Sequence, residues 1–383
     1  MPAARRDFDA HMMGMALRLA ERGLGRTAPN PAVGAVIADE QTGEVIARGW
    51  TAPGGRPHAE TEAIARAGGR AHGATLYVTL EPCSHHGATP PCADAIIAAG
   101  VARVVCAIED PDARVAGRGL GRLRAAGIAV ERGLCAEAAH WMAAGHILRV
   151  TERRPFTQAK LALGADGAVP RGAQGQPVWA TSPAARALGH LMRARADAIL
   201  VGRRTVLDDD PLLTCRLPGL EDRSPTRVVL ARQLDGLHRT RLALTAREHA
   251  LWVFCGEGSD ARQLEAAGAR IARVPEIGGG LWLPNVMETL VAEGITRLLI
   301  EGGPATWRAF SDAGLIDEAV LLHARGRGGA GLEEAAAAAT LERYVATTNL
   351  QVFDHRTVGG DDMMVFRRHW RSLASPAARA KAG

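Results

Sequence analysis

Three side chains suited to a borderline metal occur in a fixed order: His58 within His58-Ala59-Glu60, Cys83 after Pro82, and Cys92 beyond the intervening Ser84 to Pro91. A catalytic zinc takes three protein ligands and leaves a fourth position for water. One imidazole and two thiolates complete that count. Each cysteine falls at a strand-to-helix junction, where a helix N-terminus favours the thiolate. Glu60 stands two residues past His58, where a carboxylate can take a proton from zinc-bound water and hand it to a ring nitrogen and a leaving amine. Singly these signals are weak. A His-Ala-Glu run is common, and two cysteines at this spacing can be a structural site or unrelated core thiols. Together, in this order, they predict a catalytic zinc site. His85 and His86 are rival ligands, but the ligand count is already met, so they are expected to face a substrate or pack the loop.

A chain of 383 residues exceeds what one hydrophobic core usually serves, so two domains are expected. An amphipathic helix over Asp9 to Arg22 ends at the turn Pro29-Asn30-Pro31, and Ala32 to Ala38 follows as a buried strand. Helices at 59–67, 92–99 and 119–126 alternate with strands at 75–80 and 103–108, an α/β layered pattern that closes near residue 147. Arg149 to Pro155, charged and ending in proline, is expected to be a linker. A second α/β series follows, with strands at 157–162, 198–201, 227–230, 250–254, 297–300 and 318–322 and helices at 183–195 and 305–313. The alanine run Glu333 to Ala339 suits a helix, and residues 372–383 lack the apolar content to order themselves.

The formal charge of +5 fits nucleic acid or phosphorylated small molecules. Lys and Arg are scattered rather than massed, and aromatic residues make up only 4% with two Tyr, which argues against a nucleic-acid surface. No apolar stretch approaches a bilayer span, and Met1 to Arg26 lacks a signal-peptide pattern, so a cytoplasmic protein with reduced cysteines is expected.

Two features of the second half carry chemistry. Glu301-Gly302-Gly303-Pro304 follows a strand and opens a helix, so its N–H groups can receive an anionic group such as a cofactor phosphate, although glycines also make plain turns. Asp208-Asp209-Asp210-Pro211 is either a metal patch or, as we prefer, an exposed turn with a helix-capping carboxylate. No Gly-x-Gly-x-x-Gly follows a strand, which disfavours a Rossmann domain.

The run Thr79-Leu80-Glu81-Pro82-Cys83-Ser84-His85-His86-Gly87-Ala88-Thr89-Pro90-Pro91-Cys92 resembles the signature of the bifunctional riboflavin-biosynthesis deaminase/reductase family. Its long cysteine interval sets it apart from deaminases with Pro-Cys-x-x-Cys. Residues 29–34 (PNPAVG) and 115–120 (VAGRGL) also match. The resemblance covers about residues 7 to 370 and implies a cytidine-deaminase-like αβα domain over 1–148. It implies a dihydrofolate-reductase-like α/β domain using NADPH over 155–371. It further implies His58, Cys83 and Cys92 as zinc ligands, Glu60 as the proton shuttle and Asn30 beside the substrate. In the second domain it assigns Ala162, Trp179, Thr205, Asp209 and Gly303 to NADPH, and Arg193, Leu213, Arg216 and Glu301 to the substrate. The implied substrate is 2,5-diamino-6-(5-phosphoribosylamino)pyrimidin-4-one, deaminated on its ring and then reduced to a ribityl chain. The implied assembly is a homo-oligomer without nucleic-acid or membrane partners.

The chain departs from the family pattern at several positions. Ala88 stands where the family has Arg, with His85, His86 or Arg118 as replacements for a phosphate contact. Gly164 and Ala168 interrupt a Ser-Leu-Asp-Gly-Arg run, Pro177 replaces a Ser, and residues 323–329 replace an Ala-Pro and Leu-Gly pattern. These departures motivate two alternatives: a monofunctional deaminase with a degenerate reductase-like half, and a nucleic-acid-editing deaminase.

Overall fold

Every residue of Gly34–Ala38 is buried in the computed structural model of the chain, which describes residues 3–85, 90–164, 169–170, 181–325 and 350–369. A strand without polar side chains is stable only where both its faces are covered. This one, β1, lies inside a five-stranded sheet of order β2-β1-β3-β4-β5. Its neighbours are β2 (Val45–Trp50), β3 (Thr75–Val78), β4 (Arg103–Cys106) and β5 (Ala129–Arg132). β1 is antiparallel to β2 and β3, while β3, β4 and β5 run parallel. Helices α1 (Ala3–Ala20), α2 (Ala59–Ala67), α3 (Cys92–Ala98), α4 (Arg118–Ala125), α5 (Ala136–Met142) and α6 (Ala144–Thr151) complete this unit.

The sequence reading lacked β2, an edge strand whose partly exposed VIARGW shows no clean alternation. β2 nevertheless seats α2. A Cβ on Gly49 would lie 2.1 Å from the Ala59 carbonyl oxygen, so only glycine lets the first turn of that helix approach so closely. The expected linker also differs: α6 continues through Thr151, because its Ile147 and Leu148 are buried. The chain divides into two compact units with the boundary between Arg153 and Arg154.

The second unit holds β6 (Phe156–Leu163), α7 (Pro183–Ala194), β7 (Ala198–Gly202), α8 (Arg203–Asp209), β8 (Thr226–Leu230), α9 (Arg241–Leu244) and β9 (Leu251–Cys255). There follow α10 (Arg262–Ala267), β10 (Arg270–Arg273), the ribbon β11 (Glu276–Ile277) and β12 (Gly280–Leu281), and α11 (Leu283–Ala292). β13 (Arg297–Ile300), α12 (Pro304–Asp312), β14 (Glu318–His323), β15 (Leu350–Val358) and β16 (Asp361–Arg368) close it. Nine strands form one sheet in the order β10-β9-β8-β7-β13-β6-β14-β16-β15. β10 through β14 are parallel along that order, and β16 and β15 add an antiparallel edge.

Buried polar clamps tie the N-terminal ends of these parallel strands together. Arg154 grips Asp317 at 2.6 and 2.7 Å, and Asp317 also accepts the Thr157 N–H at 2.9 Å. Asp197 accepts from the Thr296 N–H, the Thr296 hydroxyl and the Arg297 N–H at 2.7–2.9 Å. Stability is thereby secured at one end of the sheet, leaving the C-terminal ends free for ligands, as is usual in open α/β sheets.

The acidic run resolves as a cap. Asp210, left-handed at the end of α8, accepts the Arg241 N–H that opens α9 at 2.7 Å. Ala88, Ala168, Pro177, Trp179, His86, the alanine run and the 372–383 tail lie outside the described residues.

Candidate active sites

The first unit brings His58, Cys83 and Cys92 together, with their ligand atoms all within 4.8 Å of one another. His58 is the N-cap of α2, held extended so that its ring leaves the helix axis. Cys92 is the first residue of α3, and its N–H donates to the Cys83 Sγ at 3.2 Å. The His58 Nδ1 lies 3.2 Å from the Cys92 Sγ and 3.7 Å from the Cys83 Sγ. A tetrahedral zinc with ordinary bond lengths needs a nitrogen-to-sulfur separation of about 3.6 Å, so the donor set fits that ion. The Cys92 thiol and the His58 ring hold the Cys83 thiol down to about 4, and the neighbouring Cys83 together with burial pushes the Cys92 thiol up. Glu60, in the first turn of α2, is 3% exposed, and burial pushes its carboxyl up to about 7.

His58, Cys83 and Glu60 line a cavity of about 270 Å³ that also takes in Asn30, His85 and Asp110. Asn30 is fixed by its Nδ2 donating to the Gly55 carbonyl at 3.2 Å. The Asp110 carboxylate meets the His146 Nε2 at 2.9 Å. Arg56, Arg114 and Arg149 bring positive charge to the rim.

Glu81, two residues before Cys83 and 3% exposed, organises the cavity wall. One carboxylate oxygen accepts the Asp110 and Gly117 N–H groups and the other those of Gly119 and Leu120, at 2.9–3.2 Å. A Cβ on Gly119 would lie 2.0 Å from the Pro82 carbonyl oxygen, so α4 packs directly on the ligand loop. Glu81→Gln keeps the shape but replaces one acceptor oxygen with a donor. Two N–H groups lose their partner, the wall carrying Asp110 shifts, and the KM for deamination should rise about tenfold. Zinc content should stay unchanged. Steady-state kinetics beside metal analysis checks this, and an unmoved KM refutes it.

In the second unit, Glu301 follows β13 and receives the Arg193 fork at 2.8 and 2.9 Å, with the Lys160 ammonium at 3.5 Å. Burial alone would raise the Glu301 carboxyl, but Arg193 and Lys160 overcome it and hold the group well below the usual carboxylate range. Arg193 also donates to the Thr214 carbonyl at 3.0 Å. His190, on the same helix, is pushed down to about 4 by burial and by Arg193 and Arg216. Gly303, the N-cap of α12, donates its N–H to the Thr205 hydroxyl at 3.2 Å, joining the α12 and α8 openings. An anion at these two adjacent helix starts would meet outward N–H groups.

The family model for the cytidine and deoxycytidylate deaminase zinc-binding region matches residues 6–108, and that for the RibD C-terminal domain matches residues 155–365. The riboflavin biosynthesis protein RibD of Escherichia coli is 41% identical over 326 residues, 82% of this chain and 86% of that one. The chain belongs to the RibD family.

Its solved relatives agree. Acinetobacter baumannii RibD aligns with a TM-score of 0.78 and 32% identity over 94% of this chain and 99% of that one. The Thermotoga maritima diaminohydroxyphosphoribosylaminopyrimidine deaminase/5-amino-6-(5-phosphoribosylamino)uracil reductase aligns equally well, over 95% and 99%. As a RibD-family enzyme of riboflavin biosynthesis, the chain carries both a zinc-dependent deaminase and an NADPH-dependent reductase.

Against the RibD-family pattern, the expected residues fall into distinct settings. Asn30 and Glu60 line the zinc cavity, as does His85, whereas Arg118 is exposed on α4 outside the lining. Ala162 lies in β6, Thr205 and Asp209 at opposite ends of α8, and Leu213 is buried with φ +58°. Arg193 and Glu301 face each other rather than open space, while the exposed Arg216 side chain meets no acceptor among the described residues. The sequence reading missed Glu81 as an organiser, the Asp110–His146 pair, and Lys160 and His190 around the Arg193–Glu301 pair. The RibD signature contained Glu81, but only the return of the 110–120 segment reveals what it holds. Among the described residues no helix is long and apolar enough to cross a membrane.

Proposed function

We propose that residues 1–148 deaminate 2,5-diamino-6-(5-phosphoribosylamino)pyrimidin-4-one and that residues 155–371 reduce the product's ribosyl group to a ribityl chain. The observation that carries this is the Glu60 carboxyl, buried in the same cavity as His58 and Cys83, two members of the ligand cluster that Cys92 completes. We assign the zinc to those three residues; bound there, it acidifies water. Glu60 then holds the proton lost by water and delivers it to the ring nitrogen and the departing amine, so that water and substrate give a ring carbonyl and ammonia. Asn30 orients the ring, and the rim arginines Arg56 and Arg149 attract the phosphate end.

For the reductase we assign Ala162, Trp179, Thr205, Asp209 and Gly303 to NADPH, and Arg193, Leu213, Arg216 and Glu301 to the substrate. NADPH supplies a hydride to the ribose C1′. Arg216, with an uncommitted guanidinium, is the direct partner for the substrate 5′-phosphate, and Arg193 holds Glu301 in place beside it. We further propose a cytoplasmic homo-oligomer.

The test is a coupled assay on zinc-loaded full-length protein supplied with the diaminopyrimidine ribotide. Ammonia release, followed by NADPH consumption on the accumulated product, is expected. Ammonia without NADPH consumption overturns the reductase assignment, and no ammonia overturns the substrate.

A further inference from the structure

Among the described residues, four carboxylates line the zinc cavity: Glu60, Glu81, Asp110 and Asp112. Three of them are committed. Glu60 stands with the ligand cluster, where it accepts from the Cys92 thiol. Both Glu81 oxygens are spent on the four backbone N–H groups described above. Asp112 is held by Arg114, whose Nε lies 3.0 Å from each of its oxygens. Asp110 differs. Its Oδ1 accepts the Asp112 N–H and faces the His146 Nε2, both at 2.9 Å. Its Oδ2 meets no donor among the described residues.

His146 reaches this carboxylate from α6. His146, Arg149 and Val150, at the spacing of one helix face, line the cavity, while Ile147 and Leu148 are buried in the core. The imidazole is 9% exposed, and among the described residues its buried Nδ1 has no partner. An ionised carboxylate only accepts, so the proton of the shared bond belongs to the His146 Nε2. A buried imidazole that leaves one nitrogen unpaired gives up hydration for a single hydrogen bond. Packing alone is served better by an apolar side chain of that size, so the bond to Asp110 is what the histidine contributes.

That bond has a geometric consequence. A carboxylate held by one donor is free to turn about its last single bond. Two donors on the same oxygen, one from its own loop and one from α6, fix the turn and leave Oδ2 for a donor that a ligand brings. A diaminopyrimidine is rich in N–H donors, and an N–H given to a carboxylate makes a charge-assisted bond. The second nitrogen of His146 is shielded from solvent, so the ring acts on a ligand only through Asp110.

We propose that His146 is a positioning residue of the deaminase, locking the Asp110 carboxylate so that its Oδ2 accepts an amine N–H of the pyrimidine substrate. The proposal rests on the deamination assignment above and adds to it a residue outside both the ligand cluster and the proton path.

Steady-state ammonia release from the diaminopyrimidine ribotide by zinc-loaded full-length protein tests it. His146→Leu removes the donor and keeps an apolar side chain in its place. Its KM should rise about tenfold, the usual worth of one positioned hydrogen bond, while kcat changes by less than about twofold. His146→Gln, whose amide N–H can replace the Nε2 proton, should recover most of that loss. Asp110→Asn should raise the KM at least as far, since a donor then replaces the free acceptor. In that background His146→Leu should cost less than about a further twofold, because the two residues act as one unit. Zinc content and melting temperature are read for every variant, and His146→Gln with Asp110→Asn carry the test if the Leu variant melts early. KM losses that multiply in the double variant overturn the proposal and leave the deamination assignment standing. So does an unmoved KM in either His146→Leu or Asp110→Asn, or a Gln variant no better than Leu. A fall in kcat at constant KM also overturns it, since His146 then serves the chemical step. Unsubstituted protein that releases no ammonia overturns the deamination assignment and the proposal together.

Discussion

Replacing Glu60 by Gln is expected to lower the turnover for ammonia release by about 10²–10⁴-fold, the usual contribution of one positioned acid–base group. The substitution keeps the size of a side chain that is 3% exposed, so packing around α2 changes little. It removes a deeply buried carboxylate that lines this cavity beside the ligand cluster, where burial pushes it up to about 7. A group poised there can both accept and return a proton near neutrality. Zinc content should be unchanged, because Glu60 stands beside the ligands rather than among them. Reduction of independently supplied deaminated product should also persist, since that chemistry belongs to the other unit. Retained ammonia release at more than a tenth of the original rate would remove Glu60 from the proton-transfer role.

The second large effect concerns the Arg193–Glu301 pair. Glu301→Gln should destabilise the second unit by about 3 kcal/mol, because a largely buried guanidinium is left without its counter-charge. For a unit of this size that corresponds to a melting shift of roughly 6–12 °C. The Glu301 carboxyl lies below its ordinary value near 4.5 in the folded protein, since Arg193 and Lys160 outweigh burial. A depressed carboxyl contributes its stability above the unfolded-state value and loses it as pH falls through the folded one. The difference between the two proteins should therefore be full at neutral pH and shrink below about pH 4.5. Differential scanning calorimetry from pH 7 down to pH 4 measures it. An unchanged melting temperature together with a raised substrate KM would make Glu301 a substrate contact and not a structural partner.

The two predictions differ in how far the sequence alone could support them. His58, Glu60, Cys83 and Cys92 are local signals: residue types that zinc chemistry requires, with His58 and Glu60 at the start of α2 and Cys92 at the start of α3, while Cys83, expected at a strand-to-helix junction, lies in the loop before α3. The main strands were legible for the same reason. Gly34–Ala38 and Ala198–Gly202 are apolar runs that only a covered sheet can accept. The edges were not, because β2 and β15 are half exposed and carry charged residues, so their pairing is decided by neighbours brought from elsewhere in the chain.

Long-range geometry alone settled the remaining roles. Glu81 became an organiser because residues 110–120 fold back onto its carboxylate. Arg193 and Glu301, 108 positions apart, became a part-buried pair because β13 inserts between β7 and β6. Asp110 gained its partner because α6 brings His146 back against it. Residue chemistry by itself determined the kind of reaction this protein supports. Which side chains stand free to meet a ligand, and which are spent on one another, depends on strand order, and strand order is set by packing between distant segments.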